Sequence, residues 1–225
     1  MEVIQKYDLN DPMLFRNFQK KNKVTDAPYH VIENVFDSTQ VKNILDILSS
    51  YDDSAIDTEQ FKNNEHLKWV YIKCRDSELD SPYDISKRVP EFKLYDDMII
   101  EACLQANRSI WNLDINGVIT TKYLIYEQDK YSDWHTDGAF GIHADISSDI
   151  MWRKLSATVA LTDDEYDGGE FEMVLSSNPS TSYVKIKPSK GSIILFPPFI
   201  NHRISPVTRG IKKTLVYWFC GSRWR

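Results

Sequence analysis

The chain has few cysteines: Cys74, Cys103 and Cys220, an odd number with no CxxC pair. That pattern argues against a disulfide framework and points to reduced, structural thiols in a cytoplasm-like compartment. Long apolar runs are missing too. None approaches the length of a membrane span, so no membrane partner is expected. The opening residues 1–8 hold no basic segment followed by an apolar stretch. No secretory signal is therefore expected, and the expected localisation is cytoplasmic. There is no positive excess either. Lys and Arg number 27 against 33 Asp and Glu, a net charge of -6. Phosphate binding rests on clustered Lys and Arg, so a nucleic-acid partner is not expected. The short run Lys20, Lys21, Lys23 reads as a solvated turn. Internal repeats and low-complexity tails are absent as well.

What is present suits one well-cored domain spanning 1–225, with 42% hydrophobic residues over 225 positions. Residues 1–28 are polar and irregular, with a turn signal at Asn10-Asp-Pro12. Tyr29 to Phe36 alternates like a strand. Asp37-Ser38-Thr39 offers an N-cap, and Val41, Ile44, Leu45 and Leu48 follow at helical spacing. Residues 49–66 read as loop and Leu67 to Cys74 as a second strand. Asp76 to Pro90 is rich in turns, broken by Pro82 and Pro90. From Phe92 to Trp111 the positions Tyr95, Met98, Ile99, Ala102, Cys103, Ala106 and Ile110 predict the longest helix, which Asn112 to Gly117 ends. The chain then changes character. Short strand-like runs follow at Val118–Tyr126, Leu155–Leu161, Gly169–Val174, Tyr183–Lys187, Ser192–Phe196, Arg203–Val207 and Thr214–Cys220. The expected class is α+β. Residues 1–117 form a helical and strand support region, and 118–221 an all-β sandwich or barrel with helices on one face.

Candidate chemistry centres on His135-x-Asp137. Side chains two apart on an extended chain share a face, so an imidazole and a carboxylate there can take adjacent positions on one metal ion. His202, opening the strand after Gly191-Ser-Ile-Ile-Leu-Phe-Pro-Pro198, is the obvious third ligand. His30 reads as a structural strand histidine, and His66 has no partner at a ligating spacing. Two His and one carboxylate on one side of a metal leave the opposite positions open, which suits Fe(II) that must bind a cosubstrate and O2. A second tripeptide, His143-Ala-Asp145, lies in a Gly- and Ser-containing stretch of poor strand character. A rigid element makes the better site, which favours His135. An acidic cosubstrate needs a cation, and Arg209, Lys212 and Lys213 follow His202. Lys212 and Thr214 share one strand face. A buried ammonium is costly unless paired, and a ligand carboxylate would be its partner. Tyr126 adds a phenolic donor.

These pieces resemble the 2-oxoglutarate- and Fe(II)-dependent dioxygenases, prolyl 4-hydroxylase-like branch, including PKHD-type hydroxylases. The resemblance lies in Tyr126-x8-His135-x-Asp137, Leu155-Ser-Ala-Thr-Val-Ala-Leu-Thr162, Asp167-Gly-Gly-Glu-Phe171, Lys190-Gly-Ser-Ile-Ile-Leu-Phe-Pro197 and His202-Arg-Ile-Ser-Pro-Val-Thr-Arg-Gly210. It covers about residues 118–221, with a looser likeness over Tyr29–Leu48. It implies a double-stranded β-helix, or jelly-roll, core flanked by N-terminal helices. It implies Fe(II) on His135, Asp137 and His202, and 2-oxoglutarate with its far carboxylate on Lys212, shared by Tyr126 or Thr214. O2 is the second cosubstrate, and the family leaves room for ascorbate as an accessory reductant. The reaction implied is hydroxylation of a substrate C–H bond with release of succinate and CO2. Two positions depart from the branch: Lys212, where many PKHD-type members carry Arg, and Asp129, where the branch often has Gly.

Other readings of the same residues are weaker. A non-catalytic metal-binding or sensor module would not need the cation at Lys212. A zinc hydrolase would want a general base beside the triad. A halogenating relative would want a small residue in place of Asp137. The substrate expected is a peptide or small molecule, peptidyl proline or an amino acid, and Trp134, Phe140, Trp152 and Arg153 are candidates for its mouth. The oligomeric state is not legible.

Overall fold

Asp37 starts the first helix by a reciprocal cap. Its Oδ1 accepts from the Gln40 backbone N–H at 2.8 Å, and its own N–H donates to Gln40 Oε1 at 2.9 Å. The structure is a computed structural model and describes residues 28–50, 68–70, 90–138, 152–162, 165–175 and 183–222. Strand β1 (His30–Ile32) precedes that cap and helix α1 (Ser38–Ser50) follows it. The strand is shorter than the run Tyr29–Phe36 suggests. The chain turns at Asn34, whose φ is 55°, and its N–H donates to Ser192 Oγ at 3.1 Å. Strand β2 (Lys68–Val70) is the described part of the Leu67–Cys74 run. The turn Pro90–Phe92 leads into helix α2 (Lys93–Ile110), which buries Asp96, Ile99, Cys103 and Asn107 along one face. Asn107 also ends the helix. Its side chain bridges Leu113 in both directions at 2.9 and 3.0 Å, and Asn112 takes a positive φ of 49°.

The β-structure is antiparallel throughout. In chain order it runs β3 (Gly117–Tyr126), β4 (Ser132–His135), β5 (Trp152–Ala160), β6 (Tyr166–Gly168), β7 (Phe171–Val174) and β8 (Tyr183–Ile186). Then come β9 (Ile193–Phe196), β10 (His202–Ile204), β11 (Val207–Gly210) and β12 (Lys212–Gly221). A six-stranded sheet has the order β1-β9-β5-β12-β3-β2, a four-stranded sheet β4-β10-β7-β8, and β11 pairs with β6. The chain therefore steps from large sheet to small and back: β3, β4, β5, then β7 and β8, then β9, β10 and β12.

Period-2 alternation sorts these strands into two cores. Leu215, Tyr217 and Phe219 of β12, Leu155, Ala157 and Val159 of β5, and Ile193 and Leu195 of β9 pack with Val41, Ile44, Ile99 and Cys103 of the helices. The intervening residues face the small sheet. There Leu124, Ile194, Phe196, Phe171, Met173 and Ile204 form the second core. A polar bond ties α2 to the sheet: the Tyr217 phenol donates to buried Asp96 at 2.9 Å.

The run Arg203–Val207 is not one strand. The chain breaks at Ser205-Pro206 into β10 and β11, because Pro206 has no N–H to donate and the Ser205 N–H donates to Glu170 O at 3.0 Å. Asp129 adopts a φ of 66°, a left-handed turn conformation that explains why a glycine suits this position. Among the described residues no helix is long and apolar enough to cross a membrane.

Candidate metal centre

The site is built by one strand pairing. Antiparallel pairing of β10 with β4 sets His202 directly opposite His135, close enough for the rings to stand 4.4 Å apart, centroid to centroid. Asp137 follows two residues after His135. His135 Nε2 lies 3.8 Å from Asp137 Oδ1, and His202 Nε2 lies 3.8 Å from Asp137 Oδ2. One ligand atom from each of the three lies within 4.8 Å of the others. At metal–ligand bonds of about 2.0–2.2 Å, atoms sharing an ion stand roughly 3–4 Å apart, so small side-chain movements would close them on one ion.

Each group is held from behind. His135 Nδ1 meets Asp133 O at 2.6 Å and His202 Nδ1 meets Ile200 O at 2.9 Å. A carbonyl only accepts, so both Nδ1 atoms carry the proton and both Nε2 atoms turn a lone pair inward. Burial lowers the His202 pKa, as does His135, against the opposing pull of Asp137 and the Ile200 carbonyl. The neutral, ligating form is thereby favoured. Phe171 stacks on His202 at 5.4 Å and Phe196 meets it edge-on at 4.8 Å. Ser156 Oγ donates to Asp137 Oδ2 at 2.6 Å. The Asp137 N–H donates to Pro198 O at 2.9 Å, and its carbonyl accepts from Arg153 Nη1. The Asp137 and His202 side chains are each 7% exposed, while His135 is 43% exposed and marks the open side.

A cavity runs from the triad between the sheets, lined in part by Tyr126, Thr158, Thr214 and Trp218. Tyr126 is buried, and burial together with the Asp137 charge raises its pKa, so it stays a phenol and a donor. Lys212 stands opposite Tyr126 in the β3–β12 register. It is 3% exposed, and burial, then Lys187, pull its pKa down to about 8 against the opposing charge of Glu170. Its ammonium donates to the Tyr166 phenol oxygen at 3.2 Å.

The sequence-predicted residues His135, Asp137 and His202 thus come together, and Tyr126, Thr214 and Lys212 share the inward face beside them. His30 pairs across to Leu195 and takes no part in the triad. His66, His143, Asp145 and Phe140 lie outside the described residues. Trp134 does not line the cavity. Adjacent strand residues point to opposite faces, and Trp134 packs on Tyr183 at 5.9 Å and under Arg203 at 4.7 Å. Arg153 stacks on Trp218 at 3.8 Å. Sequence reasoning passed over Ser156, Trp218 and Tyr166. Ser156 had a signal, a small hydroxyl residue two positions before Thr158 on the inward face of a predicted strand; Tyr166 sits in a three-residue strand that periodicity does not register.

Residues 121–220 match the model of the 2OG-Fe(II) oxygenase superfamily. A PKHD-type hydroxylase of Psychrobacter sp. (strain PRwf-1) is 26% identical over 195 residues, 84% of this chain and 68% of that protein. Other PKHD-type hydroxylases, 33–34% identical, match over 94–96 residues, so the chain spans about two fifths of their length (39–41%). Among solved structures, a Trichoplax adhaerens prolyl hydroxylase in complex with a hypoxia inducible factor peptide fragment superposes with a TM-score of 0.61. It is 15% identical, covering 87% of this chain and 84% of that one. HygX from Streptomyces hygroscopicus, with nickel and 2-oxoglutarate bound, also gives 0.61, at 16% identity over 88% and 85% of the chains. The donor set here, two inward imidazole nitrogens and one carboxylate beside an open cavity, fits Fe(II) and 2-oxoglutarate. In its matched core, its curated relatives and its triad, the chain is similar to the 2OG-Fe(II) oxygenase superfamily and, within it, to the PKHD-type hydroxylases.

Proposed function

We propose that the protein hydroxylates a C–H bond of a peptide or small-molecule substrate, peptidyl proline or an amino acid. In this reading His135, Asp137 and His202 hold the iron, and Lys212, Tyr126 and Thr214 take the far carboxylate of 2-oxoglutarate. Bound there, Fe(II) and 2-oxoglutarate supply the oxidising power with O2, the keto acid leaving as succinate and CO2. The protein's own residues orient and shield. The carbonyls of Asp133 and Ile200 keep both imidazoles in the ligating tautomer. Ser156 holds the Asp137 carboxylate. Phe171 and Phe196 keep the His202 ring from turning. A buried ammonium at Lys212 with no carboxylate at ion-pair distance among the described residues invites an acid.

The observation that carries this reading is the conjunction of the His135–His202 strand pair and a buried cation at the far end of the same inward face. We read the strand order as a double-stranded β-helix, supported by the stepping of successive strands between the two sheets. We read 1–225 as one catalytic domain with 118–221 as its core. The substrate range follows from analogy with relatives and from the peptide complex of the Trichoplax enzyme.

The test is turnover without a known substrate. Fe(II)-loaded protein with O2 should convert 2-oxoglutarate slowly to succinate. Asp137→Ala and His202→Ala should abolish this, and His143→Ala should leave it intact. Loss in His143→Ala with retention in Asp137→Ala would move the metal to the other His-x-Asp pair.

A further inference from the structure

Lys212 and Tyr166 are buried against each other at the end of the inward face. They are 3% and 1% exposed, with the ammonium 3.2 Å from the phenol oxygen and 5.0 Å from the ring centre. Gly169 makes room for this pair. A Cβ there would meet Tyr166 Cε2 at 3.1 Å and Lys212 Cδ at 3.3 Å, and the residue's φ of +60° suits glycine. Tyr166 arrives from outside the six-stranded and four-stranded sheets. It stands on β6, opposite Gly210 of β11, and that strand leads directly into β12.

Lys187, Glu170 and Tyr126 surround Lys212. Lys187 follows β8; its ammonium lies 4.9 Å over the Tyr166 ring and donates to Tyr166 O at 3.4 Å. Glu170 follows β6 and accepts from Ser205 at 2.5 Å, a bond that holds its carboxyl below the usual range. Tyr126 is the cross-strand neighbour in β3. Among the described residues the Lys212 ammonium donates to the Tyr166 phenol, a neutral group.

We propose that Tyr166 is a positioning residue of the cosubstrate site: its phenol oxygen takes one Lys212 donor and so aims the others at the 2-oxoglutarate carboxylate beside Tyr126 and Thr214. This rests on the reading of Lys212 given above. A lysine head is a compact charge on a flexible stem, without the planar fork by which arginine fixes a carboxylate in two bonds. A fixed acceptor supplies the missing orientation, and the stem is ordered before the ligand arrives. A neutral acceptor also favours the ammonium over the amine, against the burial that pulls Lys212 down.

The experiment is an anaerobic titration of 2-oxoglutarate into Fe(II)-loaded protein, followed by the visible band that forms when the keto acid and iron share the site. Wild type, Tyr166→Phe, Lys212→Met and the double variant are compared. Tyr166→Phe should weaken 2-oxoglutarate about tenfold, in keeping with loss of a hydrogen bond to a charged group, and leave Fe(II) affinity unchanged. The double variant should bind no more weakly than Lys212→Met, because the phenol acts through the lysine. Wild-type affinity should fall as pH rises through about 8, and the fall should come at lower pH in Tyr166→Phe. If Tyr166→Phe does not fold, Gly169→Ala, which wedges the pair apart, should give the same signature. An unchanged Kd in Tyr166→Phe, or additive losses in the double variant, overturns the proposal. Equal binding by wild type and Lys212→Met overturns the Lys212 reading itself, and with it the role of Tyr166.

Discussion

Ser156→Ala is the most informative single change at the metal centre. Ser156 is fully buried in β5, pinned between Phe196 of β9 and Trp218 of β12, and its hydroxyl gives Asp137 Oδ2 a bond of 2.6 Å. Alanine removes only that bond. A hydrogen bond to a charged group is worth about 1.5–3 kcal/mol, which as a binding effect is about ten- to 150-fold. The bond also exists before iron binds, so only its orienting share is lost on the affinity scale. That places the expected loss near tenfold, the low end of the roughly 10–100-fold seen for partners that orient metal ligands. The assay is anaerobic competition for Fe(II) against a coloured chelator, with thermal unfolding as a control on the fold. Ser156→Thr keeps a hydroxyl and should recover most of the loss. Fe(II) affinity within about twofold of wild type in Ser156→Ala would refute the argument that this hydroxyl sets the carboxylate.

Three further outcomes follow from packing and charge. Lys212 falls from its ordinary 10.5 to about 8 in the folded chain. The unfolded chain therefore binds more protons between those values, and wild-type stability should rise with pH across that window. Below about pH 8 the folded chain carries the whole cost of the buried ammonium, so Lys212→Met should be more stable near neutrality by about 3 kcal/mol, the advantage shrinking as pH approaches 10.5; urea unfolding at several pH values reads this. Ile99→Ala empties a fully buried position where α2 meets the large sheet, at a cost of about 2–5 kcal/mol and some 2–4 °C of melting temperature per kcal/mol. Gly169→Ala combines a left-handed φ with contacts at 3.0–3.3 Å to Val207, Tyr166 and Lys212. It should cost about 1–2 kcal/mol of stability in the same unfolding assay.

Much of this was legible because the informative signals were local. The apolar stripe Val41-Ile44-Leu48 and the longer one through Ile99 and Cys103 have helical spacing, and both helices formed on those faces. The runs leading to β3, β5, β9 and β12 are rich in β-branched and aromatic residues and bounded by turn residues, which marks them as strands. The triad was legible because His135-x-Asp137 carries its own geometry and only a handful of histidines competed for the third place. What escaped lies in short or polar elements. β6 and β11 are three and four residues long and carry Asp167, Thr208 and Arg209, so no periodicity marks them. Pro206 hid a strand break inside an apparently continuous run. The direction of Trp134 was knowable from its place next to His135, but it became plain only in its packing against Tyr183 and Arg203. The Tyr166–Lys212 contact joins residues 46 positions apart through a paired turn, which no local pattern encodes.

The proposed activity requires the triad and the inward cation to hold iron and 2-oxoglutarate together. The measurement that meets it most directly is an anaerobic titration of the apoprotein, first with Fe(II) and then with 2-oxoglutarate, followed in the visible. A band that requires both, retained in wild type and lost in Asp137→Ala, is the predicted result. Iron binding without the band in wild type would contradict the account and leave a metal-binding module without cosubstrate chemistry.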